Sequence, residues 1–239
     1  MHMREFRGDE KNMRQRIAVF IGGIVLLCVF TLFSYWVRHG AFRTVDFAFT
    51  VKIQDTIDRS PRLRLSRMVG EVMEGSTFFA GPEMSVIAVV IITGIALYDR
   101  KKKKIRWITL IIPLLFFFLV IGEVYGKSVV HHPAPPFFMI KNPPTLFPKY
   151  YINEQFSYPS GHASRAVFLA LSIFYFLSSI FPLRKKRVVL GFICAGYVLL
   201  VSVSRIYLGH HWLSDIIGGW LLGGGCGCIT YAFMKRIGD

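Results

Sequence analysis

Acidic side chains are scarce in this sequence: 14 Asp and Glu stand against 29 Lys and Arg, leaving a formal net charge of +15 over 239 residues. Such a balance suits a nucleic-acid binder when the cations line one face of the molecule. Here they fall in short runs between apolar stretches, which argues against a nucleic-acid partner and for loops that orient a chain in a membrane. Cysteine is scarce too. Cys28, Cys194, Cys226 and Cys228 all lie inside apolar stretches, and Cys226-Gly227-Cys228 lacks the two-residue spacing of a redox pair, so the four are expected to be buried packing residues. Neither an HExxH motif nor an acidic cluster accompanies the vicinal pairs His131-His132 and His210-His211, so no metal and no other cofactor is expected. Proline is nearly missing from the apolar runs, because seven of the eleven fall between Ser128 and Pro159.

What abounds is apolar surface. With 53% hydrophobic residues, 22 Phe and a positive mean hydropathy, the composition excludes an ordinary soluble domain and fits several membrane spans. The expected fold is all-α, a six-transmembrane-helix bundle forming a single integral membrane domain over residues 1–239. Its spans fall at about 17–37, 78–98, 107–126, 161–181, 188–204 and 212–234, lengths suited to a hydrocarbon core of roughly 30 Å. The first is too long for a signal-peptide core and is expected to be retained. Arg100–Lys104 and Arg184–Arg187 mark cytoplasmic turns, and five basic residues precede the first span, so both termini are expected in the cytoplasm.

Two segments outside the spans have readable character. Arg38 to Glu74 mixes seven basic with five acidic residues, but places Val45, Phe49, Ile53 and Ile57 at near-helical spacing; it reads as an amphipathic helix lying at the interface. The Pro-rich stretch Ser128–Pro159 reads as a structured outer loop whose Phe137, Phe138, Phe147, Tyr150 and Tyr151 suit a lipid interface. The glycines of the last span, among them Gly218, Gly219, Gly223, Gly224, Gly225 and Gly227, allow helix backbones to approach closely.

This topology brings polar span ends to one face: Lys127 after span three, Ser160, Gly161 and His162 before span four, Arg205 after span five, and His211 and Asp215 before span six. Polar groups beside membrane spans are costly and tend to be functional. Each suits a phosphate. Ser160 resembles an N-cap, Gly161 admits an anion to the backbone, and a helix N-terminus favours negative charge. Lys127 and Arg205 add positive charge. His211 and Asp215 lie four residues apart on one helical face, so the carboxylate can hold one ring nitrogen while the other acts. Glu123, four residues before Lys127, reads as its ion-pair partner.

Pro159-Ser160-Gly161-His162 and Ser204-Arg205 through His211 and Asp215 resemble two of the three signature blocks of the type 2 phosphatidic acid phosphatase family: KxxxxxxRP, PSGH and SRxxxxxHxxxD. The resemblance implies a metal-independent membrane phosphatase. His211 would attack phosphorus, Asp215 would orient it and His162 would protonate the leaving oxygen, while Lys127, Arg205, Ser160 and Gly161 would hold phosphate oxygens. The first block departs from the pattern, since Ala134 stands where the family has arginine. Loss of a charge-assisted hydrogen bond there costs about 1.5 to 3 kcal/mol. His131, His132 and Arg165 are candidate substitutes.

The expected activity is hydrolysis of a lipid phosphate mono- or diphosphate ester through a phosphohistidine, at the extracytoplasmic face of a cytoplasmic membrane. The expected partners are a lipid phosphate substrate and the bilayer. A second reading, prompted by Ala134, is a catalytically weak relative that binds or transports phospholipids.

Overall fold

The computed structural model describes residues 2–59, 63–99, 103–141, 155–180 and 183–234. They form eight α-helices: α1 (His2–Arg38), α2 (Arg43–Asp58), α3 (Leu63–Phe78), α4 (Pro82–Leu97), α5 (Ile111–Val130), α6 (Gly161–Ile180), α7 (Arg184–Tyr207) and α8 (Leu213–Phe233). Short 3-10 turns at Trp107–Leu110 and Phe137–Met139 and a two-residue antiparallel ladder, Tyr98–Asp99 against Lys104–Ile105, are the other regular elements among the described residues. The ladder closes the first basic turn, of which residues 100–102 lie outside the described residues, as do Phe147, Tyr150 and Tyr151 of the Pro-rich loop.

Five helices, α1, α5 with its 3-10 entry, α6, α7 and α8, contain segments long and apolar enough to cross a membrane. A sixth passes only as a bent pair, Met68–Phe78 with Pro82–Leu97, at 52° to each other. The apolar run that begins at Phe78 is broken at residues 79–81, where Gly81 is extended and Pro82 opens the next helix with the backbone angle that position needs. At 1.5 Å per residue α4 alone is about 24 Å long, short of the roughly 30 Å core. Together these segments make a multi-pass membrane protein.

Helices α6 and α8 form the centre. Their contact depends on glycine: a β-carbon on Gly219 would lie 2.6 Å from the Ser160 carbonyl oxygen and 2.9 Å from Ala163 Cβ, and one on Gly223 would run into the Ser164 carbonyl. On its other side α8 meets α1, where a β-carbon on Gly225 would stand 2.6 Å from Leu27 Cδ2. Val89 and Ile92 of α4, Ile112, Phe116 and Leu119 of α5, and Phe168 of α6 fill the core against Leu222 and Cys226 of α8. Apolar side chains such as Ile21, Val25, Val90, Phe117 and Phe192 point outwards, as lipid contact requires. Cys28 is among the outward-facing residues; of the four cysteines, Cys226 alone is fully buried.

Helix α2 is amphipathic, but its apolar positions are divided: Ile53 packs against the cluster of Ala163, Ile206 and Ile216. Val45 and Phe49 face outwards, whereas Asp46 and Thr50 are buried against the bundle. Near lipid the physical reason is direct: an apolar side chain needs no partner, while a carboxylate must find donors, and here the bundle supplies them.

Candidate active site

Three links to backbone carbonyls gather the polar span ends at one end of the bundle. The chain after α5 pairs with the approach to α6: Ser157 N–H donates to the His132 carbonyl at 3.0 Å, and Ala134 N–H to that of Gln155 at 3.3 Å. Trp212 Nε1 donates to the Pro133 carbonyl at 2.8 Å, tying this segment to the start of α8. Ser160 N–H donates to the Asp215 carbonyl at 3.0 Å, joining the starts of α6 and α8.

Ser160 is the residue before α6; its carbonyl accepts Ser164 N–H at 3.0 Å and its Oγ lies 3.5 Å from Ala163 N, at the limit of a capping bond. Among the described residues, the amides of Gly161 and His162 donate to no protein group, which leaves the positive end of the helix to a ligand. Gly161 is glycine for a reason the sequence did not disclose. A β-carbon there would collide with the carboxylate of Glu123. That carboxylate is paired twice, to Arg165 Nη1 at 2.6 Å and to Lys127 Nζ at 3.5 Å. Arg165 Nε also donates to the Ala80 carbonyl at 3.1 Å.

The short connection before α8 is shaped by Gly209, whose φ of +71° lies in the left-handed region, and by the Arg205 carbonyl, which accepts the amides of His210 and His211 at 3.1 and 3.3 Å. His211 is buried, with Nδ1 3.5 Å from Asp215 Oδ2, an ion-pair separation that falls short of hydrogen-bond geometry. Burial pushes the His211 pKa below its ordinary value, against the opposing pull of Asp215. The positive charges of Arg205 and Lys127 act in the same downward direction. His162 lies within electrostatic reach of Arg205, Arg165, His211 and His210. The structure thus brings together His211, His162, Asp215, Lys127, Ser160, Gly161, Arg205 and Arg165.

Asp215 itself is fully buried and is held on both oxygens. Oδ2 accepts Trp212 N–H at 2.9 Å and Oδ1 meets His132 Nδ1 at 2.9 Å. His132 Nε2 faces Asp46 Oδ2 at 3.8 Å, and Asp46 accepts both the amide and the hydroxyl of Ser214, at 2.8 and 2.7 Å. Burial raises the Asp46 pKa, opposed by those two bonds. Of the candidate substitutes for the missing arginine, His132 therefore has both ring nitrogens directed at carboxylates. His131, in the left-handed region with φ +53°, ends α5 and packs its exposed ring on Phe156. Asp46 escaped the sequence reading because the apolar spacing of α2 gives no sign of which face meets the bundle. Ser204, by contrast, points away from this cluster, its Oγ 2.9 Å from Ser76 Oγ. Among the described residues no three His, Cys, Asp or Glu converge in a way that could hold a metal ion.

The sequence model of the PAP2 superfamily matches residues 114–239. Phosphatidylglycerophosphatase B of Bacillus subtilis is 28% identical over 170 residues, covering 71% of this chain and 77% of that protein. An undecaprenyl-diphosphatase of Sulfolobus acidocaldarius is 39% identical over 133 residues, covering 55% of this chain and 56% of its own length. Among solved structures, a transmembrane PAP2-type phosphatidylglycerolphosphate phosphatase from Bacillus subtilis superposes with a TM-score of 0.69 at 26% identity, covering 90% of this chain and 98% of that one. With its family-matched half supplying His162, Arg205, His211 and Asp215 at one end of a membrane bundle, the chain belongs to the PAP2 superfamily.

Proposed function

We propose that this protein is a metal-independent lipid phosphatase that cleaves a phosphate mono- or diphosphate ester at the extracytoplasmic face of a cytoplasmic membrane, with both termini in the cytoplasm. The observation that carries the reading is the buried His211, backed by Asp215 through Nδ1, beside His162 and the cations Lys127 and Arg205. His211 Nε2 attacks phosphorus, the bond from phosphorus to the leaving oxygen breaks, and His162 donates the proton that the departing lipid alcohol or lipid phosphate takes up. Water then attacks the phosphohistidine, losing its proton to His162 and releasing inorganic phosphate. Splitting one displacement into two makes each easier. Lys127, Arg205 and the amides of Gly161 and His162 hold the equatorial oxygens.

The similarity to a phosphatidylglycerophosphatase and an undecaprenyl-diphosphatase supports a phosphate on a lipid anchor as the substrate class. Purified protein in detergent, with chelator present, is expected to release phosphate from phosphatidylglycerophosphate, undecaprenyl diphosphate or phosphatidate, with no loss on raising the chelator. Binding of these lipids without release would favour the transport or binding reading instead, and the twice-paired Glu123 together with Ala134 would be its explanation.

The attacking imidazole must be neutral. Because burial depresses the His211 pKa, it stays neutral as the pH falls through about 6.5, the ordinary histidine value. The acid limb of the kcat profile is therefore expected below pH 6.5. A limb with its midpoint above that value, assigned to His211, would contradict the structure.

A further inference from the structure

The proposed chemistry employs His211, His162 and Asp215 and leaves two buried groups beside them without a role, His132 and Asp46. We propose that His132, backed by Asp46, is a positioning residue that fixes the Asp215 carboxylate for His211. The inference rests on the phosphatase reading above.

A carboxylate that orients an imidazole must not rotate, yet the terminal torsion of aspartate is broad. One oxygen of Asp215 is already divided between the Trp212 amide at 2.9 Å and His211 at 3.5 Å. The other has a single side-chain partner, His132 Nδ1 at 2.9 Å. With that bond made, both oxygens are pinned and Oδ2 is held toward His211; without it, the carboxylate is held at one oxygen only, by the Trp212 amide.

His132 is itself held from several sides. Its carbonyl takes Ser157 N–H at 3.0 Å, the preceding His131 turns the chain out of α5 in the left-handed region, and its Nε2 faces Asp46 at 3.8 Å. Asp46 is fixed in turn by two bonds from Ser214, one residue before Asp215. The result is a chain of four buried side chains, His211, Asp215, His132 and Asp46, drawn from α8 and its entry, the segment after α5, and α2. Outer partners of metal-ligating side chains typically change activity 10- to 100-fold when removed, and a loss of the same order is expected for an outer partner of Asp215. His132 cannot at once serve as the phosphate ligand that Ala134 lacks, because both of its nitrogens face carboxylates. It occupies an unspecified position within the first signature block, so this use of it belongs to this chain's own residues.

The test compares wild type, His211→Ala, His132→Ala, His132→Asn, His132→Gln and Asp46→Asn for phosphate release from dioctanoyl phosphatidylglycerophosphate and from farnesyl diphosphate, with melting in detergent recorded for each. The asparagine amide overlays Nδ1–H, whereas that of glutamine reaches the Nε2 position. His132→Ala is expected to lower kcat about 10- to 100-fold with KM within about twofold; His132→Asn should recover most of the loss and His132→Gln little of it. Asp46→Asn, which keeps an acceptor for Ser214, should lower kcat a few-fold at unchanged KM and stability. A kcat for His132→Ala within twofold of wild type, a loss confined to KM, or equal rescue by Asn and Gln would overturn the inference. Wild type indistinguishable from His211→Ala would instead overturn the phosphatase reading. In that event the inference still stands or falls on a slowly exchanging imidazole proton in ¹⁵N-histidine spectra. It should vanish in His132→Ala and move in Asp46→Asn and Asp215→Asn; its persistence unmoved in Asp215→Asn would refute the contact.

Discussion

Replacing His211 by alanine is expected to lower phosphate release by about 10⁴-fold or more, the largest effect of any substitution in this chain. On the proposed mechanism the loss of the covalent nucleophile would take with it both displacement steps, leaving only the help that Lys127, Arg205 and the helix amides would give to a direct attack by water. His162→Ala should cost less, about 10²- to 10⁴-fold, because general acid catalysis lowers one barrier without supplying the bond-forming atom. The two are separated by the leaving group. With p-nitrophenyl phosphate, whose leaving oxygen needs no proton, His162→Ala should recover most of its first-step rate, while His211→Ala should not. Stopping the reaction with base within the first turnovers should trap an alkali-stable, acid-labile phosphoryl group on wild-type protein and none on His211→Ala. Phosphate release by His211→Ala within tenfold of wild type would rule out the phosphohistidine.

The second large effect is remote from chemistry in the sequence but not in space. Gly219→Ala is expected to lower kcat on the order of 10²-fold and to destabilise the protein by about 1 to 3 kcal/mol. The added β-carbon would lie 2.6 Å from the Ser160 carbonyl oxygen and 2.9 Å from Ala163 Cβ. Neither the backbone oxygen nor a helical methyl can step aside, so α6 and α8 must separate. His162 rides on α6, and His211 and Asp215 ride with α8, so a separation of about 1 Å falls directly on the distance between His162 and His211, the proposed acid and nucleophile. Gly196→Ala on α7 is the matched control. Nothing lies within 4 Å of its β-carbon, and it should leave kcat unchanged while adding about 0.5 to 1 kcal/mol of helix stability. Equal behaviour of the two variants would refute the packing argument.

These cases mark what the chain reveals before it folds. Length and hydropathy were enough to expect a helical membrane bundle, because lipid leaves a spanning backbone few alternatives. The convergence of Lys127, His162, Arg205, His211 and Asp215 was legible because each sits at a span end, and alternating spans put those ends together. The break in the second span was only partly legible: Gly81 and Pro82 signal a turn, but nothing local sets a 52° bend. Asp46 was not legible at all. It meets Ser214 across 168 residues of sequence, from a helix whose apolar positions are divided between the outer surface, as at Val45 and Phe49, and the bundle, as at Ile53. Glu123 was read correctly as the partner of Lys127; that its carboxylate also abuts Gly161 and binds Arg165 depends on how closely α5 and α6 approach, which no periodicity encodes.

The seam between α1 and α8 has a temporal side. Gly23 of the first described helix fits against Gly225 and Ile229 of the last, and at roughly 5 to 20 residues per second some ten to forty seconds of translation pass between their emergence. Through that interval α1 has only its earlier-made partners, Val130 at the end of α5 and Tyr158 before α6, to pack against. Helix α2 must wait as well, since the amide and hydroxyl that satisfy Asp46 belong to Ser214. A ribosome paused anywhere before α8 therefore leaves Asp46 without the two bonds that Ser214 supplies. The last of these helices to be made is thus the one whose glycines fit against both α1 and α6.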